Sequence, residues 1–260
     1  MFGKVARSRL LPMSVPFRFF GAAAAFQVAA WAVLLLFSEE VLPFPGGLGH
    51  VFGALHFLTL GVLAMAAIGA TLQLLPVATR QPVRAVWAVK LLWWLLVPGI
   101  FMFVAGASHY RVEVMGAGAL TVLAALAFYA VLLARNLKDA RGMKVVVAHG
   151  WGALACLAGL GATGVLLVAR FEHGLALDHA AFRGAHIALA AYGFMGLLAL
   201  GLSNFLLPML AVAPPPAPRL SLAVLAIALL SIAIAVAGFV APAAALGLAA
   251  AGTHVYSMEK

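Results

Sequence analysis

The chain has 260 residues, 66% of them hydrophobic and 9% charged, with a formal net charge of +9. A soluble domain carries about 25% charged residues, so this composition excludes an ordinary water-soluble globule. Several apolar runs exceed the roughly 20 residues that span a hydrocarbon core. Their continuity excludes a membrane β-barrel, whose strands read as short alternating segments.

The expected fold class is an all-α integral membrane protein of about eight transmembrane helices in a single domain, residues 1–260. Helix 1 is expected from about Pro16 to Phe37, after a basic N-terminal stretch with Lys4, Arg7 and Arg9. That first run is too long for a signal h-region and has no clear cleavage site, so it is read as a retained span. Helix 2 runs from about Gly49 to Val77, helix 3 from Val86 to Ala105 and helix 4 from Val114 to Leu133. Helix 5 covers about Val145 to Ala169, helix 6 His179 to Leu210 and helix 7 Leu220 to Val240. Helix 8, about Pro242 to Tyr256, is short, and Ala241-Pro242 must turn the chain almost at once. Pro-rich residues 213–218 read as a stiff loop.

Loop charges alternate. Arg18, Arg80, Arg84, Lys90, Arg135, Lys138, Arg141, Lys144 and Arg219 join the basic N-terminus on one side. Glu39, Glu40, Glu113, Glu172 and Asp178 lie on the other. The positive-inside rule then puts both termini in the cytoplasm of a bacterial-type inner membrane. The same rule accounts for the excess positive charge without nucleic acid.

Two helices share one skeleton. Gly61-x7-Gly69-x4-Leu-Leu-Pro76 matches Gly193-x7-Gly201-x4-Leu-Leu-Pro208 at an offset of 132 residues. Such self-similarity implies two parallel four-helix repeats, about residues 15–134 and 145–257. Interfaces between membrane repeats commonly hold sites. In an α-helix, glycines eight apart form a slowly winding stripe, along which a helix or a flat ring can approach closely.

Chemistry rests on histidine. His50, His56, His109, His173, His179 and His186 fall toward the outer side; His149 and His254 fall toward the inner. His56 and His186 each lie about seven residues inside a span, so ~10 Å deep at a rise of ~1.5 Å per residue. Two intramembrane imidazoles at matching depth suit the two axial positions of a haem. They are not equivalent in the repeat, since His56 precedes its glycine by five residues and His186 by seven. Arg183, one turn from His186, and Arg111 at the outer edge are candidate partners for propionates; interfacial snorkelling is the alternative. Trp93 and Trp94 are candidates for ring stacking or core packing, and Gln73 and Asn204 for bridging helices. The single cysteine, Cys156, allows no intrachain disulfide and reads as core. No glycine-rich phosphate loop, Ser/His/Asp order or paired intramembrane carboxylate points to an ATPase, a protease or a carboxylate relay.

The residues His56-Phe-Leu-Thr-Leu-Gly61, Gln73-Leu-Leu-Pro-Val77, His186, Gly193-Phe194, Gly201 and Pro208-Met209 resemble small membrane proteins related to haem–copper oxidase subunit I. Haem-binding proteins of the NnrS type are more distant look-alikes. The oxidase core has three four-helix repeats, and this chain resembles two of them. The resemblance gives His56 the role of a low-spin haem ligand; the partner ligand there comes from the third repeat, absent here, so the role of His186 is inferred from this chain and not carried over. It also implies what is missing. Helix 7 has no histidine for a copper site, and Tyr192 stands six residues after His186, not the four of a cross-linked pair. Reduction of oxygen or nitric oxide by the chain itself is therefore not expected.

The leading expectation is a haem b protein that moves electrons between quinol or a periplasmic carrier and a partner, or senses haem or a gas. The alternative is copper or zinc binding or transport through an outer cluster of His50, His56, His179 and His186. A third reading is a non-catalytic assembly subunit. Expected partners are the lipid bilayer and a second copy or another membrane subunit.

Overall fold

The structure is a computed structural model that describes residues 11–83 and 85–259. Lys4, Arg7, Arg9 and Arg84, which carry part of the charge asymmetry, lie outside the described residues. With no water in a bilayer to satisfy backbone amides, an apolar chain must bond its backbone within each segment, and the described residues do so as helices. They are α1 (Ser14–Leu36), α2 (His50–Ala78), α3 (Val86–Ser108), α4 (Val112–Lys138), α5 (Lys144–His173), α6 (His179–Ala211), α7 (Pro218–Val236) and α8 (Val240–Glu259). Seven of them, α1 to α7, are long and apolar enough to cross a membrane. On length and composition this is a multi-pass membrane protein.

Helix ends follow local chemistry. Gly46, Gly47 and Gly49 all have positive φ and carry the chain from α1 into α2. Gly49 N–H donates to Ala107 O at 3.1 Å, tying the start of α2 to the end of α3. Asp178 caps α6 by accepting from the Ala180 and Ala181 N–H groups at 3.0 and 3.1 Å, the usual role of an N-cap carboxylate. Between α7 and α8 the turn falls at Gly238, with φ 92°, and not at Ala241-Pro242 as the sequence suggested. Pro242 sits inside the first turn of α8, where a missing N–H leaves no helical bond unmade. α8 therefore starts at Val240, two residues before its expected start, and ends at Glu259, three residues beyond its expected end.

The helices pack in a regular order. α1 packs on α2, α2 on α3 and α3 on α4; α5 packs on α6, α6 on α7 and α7 on α8. The two groups meet where α4 lies against α5 and where Met65–Ala78 of α2 lies against Leu197–Ala211 of α6. Phe19, Ile68, Leu92, Ile100 and Leu197 are completely buried in the core. In lipid no hydrophobic force drives helices together, so close packing and small residues must hold them.

Both α2 and α6 contain a stretch of π-helix. It spans Phe57–Ala64 in α2 and Ala188–Gly196 in α6, nearly the same positions at an offset of 132. The ends of the two helices match as well: Arg80 and Val212, 132 apart, both adopt left-handed backbone at φ 58° and 54°.

Candidate functional site

The π-turns explain the glycine spacing. A Cβ on Gly61 would come within 2.5 Å of Phe26 Cγ, and one on Gly69 within 2.9 Å of Phe19 Cβ. A Cβ on Gly193 would meet Cys156 Cβ at 2.6 Å, and one on Gly201 would meet His149 Cβ at 2.7 Å. Phe19 and Phe26 are seven residues apart on α1, as His149 and Cys156 are on α5. Seven residues of a regular helix come back to nearly the same face. Eight residues overshoot by ~80° unless one extra residue is absorbed, and a π-turn absorbs it. The glycines are therefore helix-packing contacts that seat α1 on α2 and α5 on α6. They do not face a flat ring.

The same π-turns begin beside the two key histidines, directly after His56 and two residues after His186. His56 Nδ1–H donates to Phe52 O at 2.9 Å. His186 Nδ1 lies 3.2 Å from Thr163 Oγ1, whose only hydrogen goes to the carbonyls of Gly159 and Leu160, both at 3.0 Å. Thr163 therefore accepts from His186 Nδ1–H. In both rings Nε2 is left with a free lone pair and no hydrogen bond among the described residues. Holding Nδ1–H on a carbonyl or hydroxyl is how proteins orient a metal-ligating imidazole.

The two imidazoles lie within electrostatic reach of each other. They project from the first halves of α2 and α6, whereas the close backbone packing between these helices lies in their second halves. Aromatic rings surround His56: Phe52 at 4.1 Å and Phe103, edge-on, at 5.0 Å. His186 lies over a small residue, since a Cβ on Gly164 would stand 3.3 Å from its Cε1. Above them the Arg183 guanidinium reaches from α6 to Gly46 in the α1–α2 connection. Arg111 is exposed at the foot of α4.

The other candidate residues do not join this pair. His50 stacks flat on Phe37 at 3.5 Å, and its Nδ1 lies 3.0 Å from Glu40 Oε1. His179 packs edge-on against Phe171 at 5.9 Å. Among the described residues no three His, Cys, Asp or Glu side chains are grouped to hold a metal ion. Trp93 donates to Arg18 O at 3.0 Å and Trp94 is exposed, so neither stacks on a ring site. Asn204 does bridge helices: Nδ2 donates to Leu200 O at 2.7 Å, and Oδ1 accepts from Ser221 Oγ of α7 at 2.7 Å. Gln73 Oε1 is buried without a partner.

Sequence reasoning missed Thr163 and Phe103, which position the two imidazoles from neighbouring helices. Thr163 stands one short of Gly164 on α5, and only the packing of α5 against α6 reveals its role. No known family model, curated protein or solved structure matches this chain.

Proposed function

We propose that this is a haem b-binding membrane protein whose His56 and His186 provide the two axial ligands from α2 and α6. The observation that carries the reading is the matched state of the two rings. Both have Nδ1–H committed to a fixed acceptor, both keep Nε2 unshared, and each lies within the other's electrostatic reach. That donor set fits haem iron, which takes neutral imidazole nitrogen. Held by His56 and His186, a haem would supply one-electron chemistry, and the protein would pass electrons between quinol or a periplasmic carrier and a partner. Arg183, and Arg111 further out, supply cationic groups for propionates.

The architecture we infer is two copies of one four-helix unit, α1–α4 and α5–α8. Four features support it: the repeated order of packing, the matched π-turns, the shared glycine seats and the paired left-handed ends. Loop charge would put both termini in the cytoplasm of a bacterial-type inner membrane and the histidine pair near the outer face.

Haem titration of the purified protein tests the reading. About one haem per chain is expected, with a sharp reduced α-band. His56→Ala and His186→Ala should each lose the haem or convert it to a five-coordinate form. A haem spectrum that neither variant changes would show that other residues hold it.

A further inference from the structure

The second halves of α2 and α4 do not close on each other. Between them and the α2–α3 connection lies a cavity of about 290 Å³. That is near the ~300 Å³ lower limit of small-molecule sites and takes one substituted ring. Its walls are apolar, with Leu72, Leu75 and Pro76 from α2 and Leu132 and Leu133 from α4. The connection is tied to α4 beside the cavity. Asn136 Oδ1 lies 2.9 Å from Thr79 Oγ1, and Asn136 Nδ2 donates to Gln81 O at 3.1 Å. Arg141 N–H donates to Thr79 O at 2.9 Å. Both Asn136 and Gln81 line the space that these bonds keep open.

One end of the cavity is polar and buried. Thr71 and Tyr129, each 1% exposed, line it there, and their hydroxyl oxygens lie 2.8 Å apart. Thr71 Oγ1 donates its one hydrogen to Ile68 O at 3.0 Å. A carbonyl only accepts, so the Tyr129 hydrogen goes to Thr71 Oγ1. Tyr129 Oη then keeps its lone pairs and has no hydrogen to give. Phe194 of α6 packs edge-on against the Tyr129 ring at 6.1 Å and helps to hold it in place. The buried end therefore presents an acceptor and no donor.

The other end is charged. Arg135 and Asp139, one turn apart on α4, also line the cavity, and both are exposed. They offer a donor and an acceptor where water competes for each. Selectivity therefore falls to the buried end, where an unmade hydrogen bond has no substitute.

We infer that this cavity binds the hydroquinone ring of a membrane quinol, one ring hydroxyl donating to Tyr129 Oη. An aromatic ring suits leucine walls, and a hydroxyl suits an acceptor that has no hydrogen of its own. The second hydroxyl, across the ring, is left for the charged end. The oxidised quinone carries carbonyls only. A carbonyl set against Tyr129 Oη would put two acceptors together in a buried place, so the site selects the reduced form. A phospholipid headgroup does not suit it, because its charges would lie against leucine. The inference rests on the proposed function for the use of quinol as an electron source. Binding itself involves no redox step and shares no residue with the proposed haem ligands.

Anaerobic calorimetric titration of the full-length protein in micelles tests it, with a decyl-tailed hydroquinone and its quinone as the two probes. The hydroquinone should bind saturably, about fivefold or more tighter than the quinone. His56→Ala and His186→Ala should leave that binding unchanged, so a failure of the haem reading is seen separately. Tyr129→Phe keeps the ring on Phe194 and removes the acceptor, and the preference for the reduced form should disappear. A photoreactive hydroquinone should label wild-type peptides within residues 71–85 or 129–139, a result that needs no variant to fold. A quinone that binds as tightly as the hydroquinone, labelling confined to other segments, or a cavity that holds water only and takes up neither probe would overturn the proposal.

Discussion

Replacing Gly61 by alanine perturbs the seam on which the first half is built. The added Cβ would lie 2.5 Å from Phe26 Cγ and 2.7 Å from its Cβ. Carbon atoms prefer separations of about 3.5–4.0 Å, so helix or ring must yield by about 1 Å. Overpacking of this kind costs roughly 1–3 kcal/mol. Alanine's better helix propensity returns at most about 1 kcal/mol. The net expectation is a loss of up to about 2 kcal/mol. Gly21 and Gly252, with nothing within 4 Å of an added Cβ, are the controls; alanine there should be neutral or slightly stabilising. Reversible unfolding in mixed micelles of fixed composition, followed by circular dichroism, measures both. Phe26→Ala removes the ring, including the Cγ contact, and leaves only the Cβ in the way, so the double variant with Gly61→Ala should be less damaged than the sum of the single variants, by roughly 0.5–3 kcal/mol. Equal tolerance at Gly61 and Gly21, together with additivity against Phe26→Ala, would refute the seating of α1 on α2.

Two further predictions concern single hydrogen-bonding groups. Asp178→Ala removes the cap of α6, and amide hydrogen exchange over residues 179–183 should speed up about fivefold, in line with a cap worth ~1 kcal/mol. Unchanged exchange would mean that the carboxylate does not hold that turn. Asn204→Leu strips the bond to α7 and leaves the fully buried Ser221 hydroxyl without its acceptor. A loss of about 1–3 kcal/mol is expected, partly recovered when Ser221→Ala is added.

Much of the fold was legible because membrane spans announce themselves. Continuous apolar runs located the eight long helices of the described residues, seven of which are apolar enough to cross a membrane, and the Gly-Gly-Pro skeleton of helices 2 and 6 marked them as alike. What escaped was the meaning of the eight-residue glycine interval. Read on a regular helix, Gly61 and Gly69 diverge by ~80°. The π-turn that realigns them is set by packing on Phe26 and Phe19, and no local propensity signals it. The relation of α1 to α5 was hidden for a similar reason. The glycines of α2 meet Phe19 and Phe26 on α1, and those of α6 meet His149 and Cys156 on α5, 130 residues on, and these pairs of residues have no likeness in composition. His56 and His186 were legible as candidates from depth alone. The acceptors that orient them were not, since Thr163 comes from a third helix.

The pairing of His56 with His186 around one haem is the central claim, and near-infrared magnetic circular dichroism of the ferric wild-type protein tests it most directly. The account predicts a low-spin bis-imidazole charge-transfer band from a single haem. A high-spin spectrum, a thiolate or methionine signature, or a purified protein that takes up no haem would contradict it.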